Sequence, residues 1–240
     1  NIDTRVYDIE KRGMEAADRV ITVSDLTRNI VITKYGIDPS KVVTVHNAVD
    51  FSGRSEIQVE RGVKEKVVTF LGRITFQKGP EYFIEAAAKV LKKCNNVRFV
   101  MAGSGDMMNR SIRQVARLGI SDRFHFTGFL RGAEVQKMFA LSDVYVMPSV
   151  SEPFGISPLE AMRSGVPSVI SRQSGAAEVL KYAFKVDFWD VDAMADEIYA
   201  LLQYPALADF ASKYGYDEVN TLKWNNAAAK IKSVYESVIK

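Results

Sequence analysis

The stretch S-V-S-E-P-F-G-I-S-P-L-E-A-M-R-S-G, residues 149 to 165, sets Glu152 and Glu160 on either side of a Pro-Phe-Gly turn, with seven residues between them. Just upstream, D-V-Y-V-M at 143–147 is a short apolar run that stops at Pro148. It reads as a buried strand that ends where the backbone donor is lost. After the turn, Ser157 suits an N-cap, Pro158 the first helical position and Glu160 the third position past the cap, a capping-box pattern closed by Gly165. A strand that passes through a glycine turn into a helix start leaves unpaired backbone N–H groups at one spot, with the positive end of the helix dipole behind them. Such a spot suits a phosphate. Taken alone, Glu160 is as well explained by capping as by ligand binding. Glu152 stands before a proline in a glycine-containing loop, where no periodicity asks for a buried carboxylate. Loops at the carboxyl ends of strands are where open α/β sheets bind ligands.

Outward from this stretch, strands and helices alternate. Strands are expected at 67–71, 97–102, 123–127 and 167–171, and helices at 81–93, 107–118, 133–141, 176–181, 191–202 and 225–239. An irregular edge is expected near 184–186. This rhythm predicts an α/β protein with a doubly wound parallel sheet of Rossmann type. The opening segment reads helix (7–16), strand (19–23), helix (capped by Ser24, closed by Gly36) and strand (41–46). It is too small to cover both faces of a parallel sheet of its own.

The 240 residues, 47% hydrophobic and 25% charged, describe an ordinary globular chain. No apolar run approaches the roughly 20 residues that span a bilayer, and no signal-peptide pattern opens the chain. The single cysteine, Cys94, can form no internal disulfide, which fits a cytoplasmic setting. A net charge of +3 is too small and dispersed to point to nucleic acid. Nothing requires a membrane, although a few lysines on one face are compatible with contact to anionic lipid. The chain starts at Asn1 rather than Met and reads as cut or processed.

Every strand delivers its loop to the same sheet edge, and those loops hold Gly72, Arg73, Lys78, Gly103, Gly105, Phe129, Leu130, Glu152, Gly155 and Glu160. Arg73 and Lys78, with four residues between them, lie in a loop that opens a helix. Two cations there suit a diphosphate, the Arg gripping two oxygens and the Lys acting as a point charge; by composition alone they are a solvated loop. Gly103-Ser104-Gly105 lacks the third glycine and downstream acid of a dinucleotide fingerprint, so an NAD-type site is rejected. Asp190-Val191-Asp192 reads as helix capping rather than a metal motif. His46 and His125 read as isolated, Cys94 as a surface thiol, and Trp189 and Trp224 as packing residues.

Glu152, Pro153, Phe154, Gly155 and Glu160 resemble the E-x7-E signature of retaining glycosyltransferases with the two-domain GT-B fold (family 4 type), which include glycogen, starch and sucrose synthases and many mannosyltransferases. The resemblance runs from about Tyr7 to the C-terminus. It includes V-I-T-V-S at 20–24 and V-x-x-V-x-N-x-V-D at 42–50, with Ala48 where the family usually has Gly. It implies that 1–51 is the tail of an N-terminal acceptor-side domain, 52–65 a linker, 66–224 the nucleotide-sugar-binding domain, and 225–240 a helix returning to the N-terminal side.

The resemblance also implies roles. Glu160 would hold the ribose hydroxyls and Glu152 the donor sugar. Phe154, Gly155 and Ile156 would offer backbone amides, and Arg73 and Lys78, in the pattern G-R-x-x-x-x-K-G that starts at Gly72, would clamp the diphosphate. Gly103 and Gly105 would lie near the nucleotide, and Phe129 and Leu130 near the base. The implied reaction moves a hexose from a nucleoside diphosphate sugar to an acceptor hydroxyl with retention, without metal or cofactor, and this chain alone is expected to be inactive. Features shared with glycogen synthases lean toward glucose. The alternatives are a sugar-nucleotide epimerase or hydrolase of similar fold, or a non-catalytic nucleotide-sugar-binding module. One departure stands out: Gly175-Ala176 replaces the Gly-Gly pair that contacts phosphate in many members.

Overall fold

The structure, a computed structural model, describes residues 3–49 and 59–239. The linker expected at 52–65 therefore lies partly outside the described residues. The opening piece comprises α1 (Thr4–Ala16), β1 (Val20–Thr22), α2 (Asp25–Tyr35), a 3-10 turn at Pro39–Lys41 and β2 (Val42–Thr44). β1 and β2 pair in parallel, and the piece has its own small core of Val31, Ile37 and Val42.

The larger part alternates β3 (Lys66–Leu71), α3 (Pro80–Leu91), β4 (Val97–Ala102), α4 (Met108–Arg117), β5 (Phe124–Gly128), α5 (Ala133–Leu141), β6 (Val144–Met147), α6 (Ser157–Arg163), β7 (Ser168–Ser171), α7 (Ala176–Val179) and β8 (Phe184–Val186). It closes with α8 (Val191–Gln203), α9 (Pro205–Val219) and α10 (Trp224–Glu236). The six strands are all parallel in the order β5-β4-β3-β6-β7-β8. The chain winds outward from β3 to β5, returns to β6, and winds out the other way. The crevice between β3 and β6 is thus the switch point where such sheets bind ligands.

Both faces of the sheet are covered, and β6 shows how. Val144 and Val146 join the core cluster that holds Phe70, Phe83, Phe99 and Ile198, while Tyr145 and Met147 join the one that holds Phe139, Leu159 and Met162. The alternation is the two-residue period of a strand buried on both sides. No helix among the described residues is long and apolar enough to cross a membrane.

Several expectations are corrected. α6 begins at Ser157, with Ile156 in the cap position and no side-chain cap. The capping box does not form, because the Ser157 hydroxyl is engaged by Tyr145 (2.7 Å). The edge near 184–186 is regular: Phe184, Lys185 and Val186 pair in register with Val169, Ile170 and Ser171. The helix α9 was not anticipated, and it packs on α6 and α8. Trp189 and Trp224 are 58% and 45% exposed rather than packed, since one follows β8 in a loop and the other opens α10. Cys94 is half-buried against the first core cluster, with the Gln203 side-chain amide 3.6 Å from its sulfur.

The opening piece is clasped to the larger part. The Glu178 carboxylate accepts the backbone N–H groups of Asp25 and Leu26 at 2.8 and 2.7 Å, so a side chain on α7 caps the N-terminus of α2. The Ser24 hydroxyl accepts from the Thr27 N–H (3.0 Å) and donates to the Pro153 carbonyl (2.6 Å), inside the E-P-F-G loop. Ser24→Ala removes both a helix cap and a bond across this boundary. It is expected to lower stability by about 1–2 kcal/mol in denaturant unfolding; an unchanged midpoint would show that the clasp is open in solution.

Candidate functional site

The loops at the carboxyl edge enclose a cavity of about 640 Å³. One side is built by the ends of β3 and β4: Leu71, Gly72, Arg73, Ala102, Gly103 and Ser104. These two loops touch so closely that only glycine fits. At Gly103 φ is 144°, and a Cβ would lie 1.8 Å from the Gly72 carbonyl oxygen. Arg73 is exposed at the cavity and forms no ion pair among the described residues.

The other side comes from α5 and α6, through Val135, Gln136, Phe139, Glu160, Arg163 and Ser164, with Phe129, Leu130 and Gly132 closing the rim. Phe129 is 62% exposed and carries the Arg131 guanidinium 5.1 Å from its ring centre, so it is no packing residue. Leu130 packs on the second core cluster. Glu160 projects into this cavity instead of capping its helix. Burial pushes its carboxyl above the usual range, and the nearby positive charge of Arg163 offsets this only in part.

Lys78 and Glu152 do not line the cavity; they form an ion pair with each other. A chain reversal at Gly79 makes this meeting possible. Its φ is 66°, and a Cβ there would lie 2.1 Å from the Pro148 carbonyl oxygen, so the Lys78 loop sits directly on the end of β6. The methylene stem of Lys78 in turn comes within 3.9 Å of the Cβ position of Gly72, which places the pair beside the cavity. Glu152 is buried (8% exposed), and its backbone is tied to 173–175 through Gln173 and Gly175.

The amides of Phe154, Gly155 and Ile156 have no hydrogen-bond partner among the described residues. They remain available at the start of α6, as an anion would require. Gly105 is also outside the cavity lining: a Cβ there would meet the Ile74 carbonyl oxygen at 2.2 Å, so it shapes the loop. Ala176 lies fully buried in the second core cluster, so its methyl does not enter the cavity.

The reading of His46 as isolated is also corrected. Its Nε2 lies 2.9 Å from Glu178 Oε2, and Asp25 completes a three-residue cluster. Both Glu178 oxygens already serve the amides of α2, which makes the cluster part of the clasp. His125 is exposed on β5. Asp190 caps α8 by accepting from the Ala193 N–H (3.0 Å).

Sequence reasoning missed Val135, Gln136, Phe139 and Arg163. For Arg163 a signal was present, since it stands one turn after Glu160 on the same helix face.

Comparison with known proteins places this site in context. The sequence profile of the family described as Glycosyl transferases group 1 matches residues 54–218, and that of Glycosyltransferase Family 4 matches residues 2–52. An uncharacterized glycosyltransferase of Methanocaldococcus jannaschii is 32% identical, the match covering 96% of this chain and 63% of the relative. The D-inositol 3-phosphate glycosyltransferase of Mycobacterium marinum is 29% identical, over 96% of this chain and 52% of the relative. The chain thus spans less than two thirds of the length of these curated relatives. The structure of Anabaena HepE in complex with UDP and glucose superposes with a TM-score of 0.85 at 20% identity, covering 98% of this chain and 68% of that one. That likeness establishes the fold.

Proposed function

We propose, from the premise that this chain belongs to the group 1 glycosyl transferases and has their GT-B fold, that its cavity holds the nucleotide of a nucleoside diphosphate sugar. One observation carries the reading. A cavity with Arg73, which forms no ion pair among the described residues, and the half-buried Glu160 lies beside a lysine–glutamate pair and a helix start with amides unpartnered among the described residues, which suits base, ribose, diphosphate and sugar in turn. The UDP and glucose bound by the Anabaena protein support the same class of donor.

In this reading Phe129 and Leu130 border the base, Glu160 accepts from the ribose hydroxyls, and Arg73 and Lys78 meet the diphosphate. Glu152, released from Lys78 by the incoming donor, accepts from hydroxyls of a hexose. In the whole protein the sugar is transferred to an acceptor hydroxyl with retention. As the bond from the anomeric carbon to the diphosphate oxygen breaks, negative charge builds on the leaving group. Cations and amides already aimed at it lower the barrier. The two glutamates hold separate parts of the donor and do not flank one bond as a glycosidase pair would. Among the described residues neither histidine is placed for the acid–base work of an epimerase or hydrolase: His46 is held by Glu178, and His125 is exposed on β5.

The test is calorimetry with UDP, ADP, GDP and their glucose conjugates, without metal. One nucleotide is expected to bind, and Arg73→Ala to weaken it about tenfold, the loss of one charge-assisted contact. Failure of all three nucleotides to bind overturns the reading.

A further inference from the structure

Strand β6 carries one polar group that the donor reading leaves without a task. Tyr145 is completely buried, a phenol in a strand that is otherwise Val, Val and Met. Burial pushes this phenol above its usual range, so it stays protonated and serves as a hydrogen-bond donor. Its oxygen lies 2.7 Å from Ser157 Oγ and 3.4 Å from the Leu71 carbonyl oxygen, and its ring meets Phe139 edge-on at 5.7 Å.

The location gives these contacts their meaning. β3 and β6 pair only at Val68–Val144 and Thr69–Tyr145. Beyond that point Phe70 and Leu71 stay with β4, while Val146 and Met147 stay with β7. The sheet therefore divides at Tyr145, and the cavity wall begins there: Leu71 and Phe139 both line it. Ser157 is the first residue of α6, one turn before Glu160. That helix has only seven residues, and its N-cap, Ile156, has no side chain able to cap it. The bond from Tyr145 ties its first residue to the sheet, beside the buried Pro158 and Leu159.

We infer that Tyr145 is a positioning residue for Glu160: by donating to Ser157 Oγ it sets where α6 starts, and so how far the Glu160 carboxylate reaches into the cavity. The phenol does not itself line the cavity and acts through Ser157, the nearer of its two hydrogen-bond partners. The inference rests on the reading of Glu160 as a nucleotide-binding carboxylate.

Four variants test it: Tyr145→Phe, Ser157→Ala, the double variant, and Ser157→Thr. Each of the first two is expected to weaken whichever of UDP, ADP or GDP the parent chain binds by about five- to tenfold. The double variant should be no weaker than either single one, because both remove the same bond. Ser157→Thr keeps the hydroxyl and should bind like the parent. In the ligand-free chain, carboxyl NMR should show Glu160 titrating closer to the ordinary glutamate range in Tyr145→Phe, as the released helix start lets the carboxylate meet water. A phenol that served packing alone would lower the unfolding midpoint and leave affinity and the Glu160 titration unchanged; that result overturns the inference. Should the parent bind none of the three nucleotides, the donor reading fails by itself, and the Glu160 titration alone decides whether Tyr145 positions it.

Discussion

Lys78→Ala is expected to unfold about 5–10 °C below the parent protein and to lose most of its affinity for the nucleotide diphosphate. The first effect follows from what the lysine leaves behind. The Glu152 side chain is only 10% exposed and that of Lys78 22% exposed, so removing the ammonium strands a carboxylate that water reaches poorly. Breaking a fully buried pair costs about 3–5 kcal/mol. The partial exposure of Lys78 reduces this to about 2–3 kcal/mol, which for a chain of this size is several degrees. The second effect follows from the proposed role as diphosphate partner. The two separate in the double variant Lys78→Met with Glu152→Gln, which removes both charges at similar volume. Its thermal stability should return toward the parent value while nucleotide affinity does not. If Lys78→Ala melts with the parent, the pair is not formed in solution, and the picture of a donor displacing it falls.

Glu160→Gln should move stability and binding in opposite directions. Burial raises the Glu160 carboxyl in the folded chain above its unfolded value, near 4.3. The folded state therefore binds more protons than the unfolded state between the two values. Stability then falls as pH rises through that window, and the cost is complete above it. Glutamine carries no such cost. The variant should match or trail the parent in acid and exceed it at neutral pH, with the difference opening across the carboxylate range; urea midpoints at a series of pH values would read it. Nucleotide affinity should fall by about ten- to a hundredfold, the worth of hydrogen bonds to a charged acceptor. A variant that is more stable and binds equally well would remove Glu160 from the ribose site.

A carboxylate that costs stability where it stands is poorly explained as a helix cap, and this is where the sequence was ambiguous. The S-P-L-E spacing fits both a capping box and a ligand site. The spacing says nothing of Tyr145, twelve residues earlier, whose phenol takes the Ser157 hydroxyl. Helix α9 was hidden for a related reason. Pro205 marks its start, but Gly215 inside it argues against a helix locally. The structure shows that α9 crosses α6 there, where a Cβ would lie 2.7 Å from the Met162 methyl group. Local propensity yields at such points because backbone approach, a non-local quantity, outweighs it.

The site residues divide along the same line. Gly72, Arg73, Gly103, Phe129, Leu130 and Glu160 were legible as one cavity because each follows a strand or opens a helix at one sheet edge, and parallel topology brings every such position to the same side. Val135, Gln136 and Phe139 were not, because which face of α5 turns toward that edge depends on the Gly132 turn and on how the helix settles against β6.

What the sequence determined by itself is the architecture. Short β-branched runs alternate with amphipathic helices at the βα rhythm, and a parallel sheet covered on both faces is the arrangement that buries them all. The E-P-F-G turn marks the carboxyl edge of the sheet, where open α/β sheets bind ligands. The tertiary structure alone decided the partnerships: Lys78 with Glu152 across 74 positions, Glu178 capping a helix some 152 positions before it, and Tyr145 holding the start of α6. The physical reason is range. Hydrophobic periodicity and turn chemistry are properties of neighbouring residues, whereas an ion pair or a hydroxyl's choice of acceptor depends on which surfaces the packed sheet brings within 3 Å.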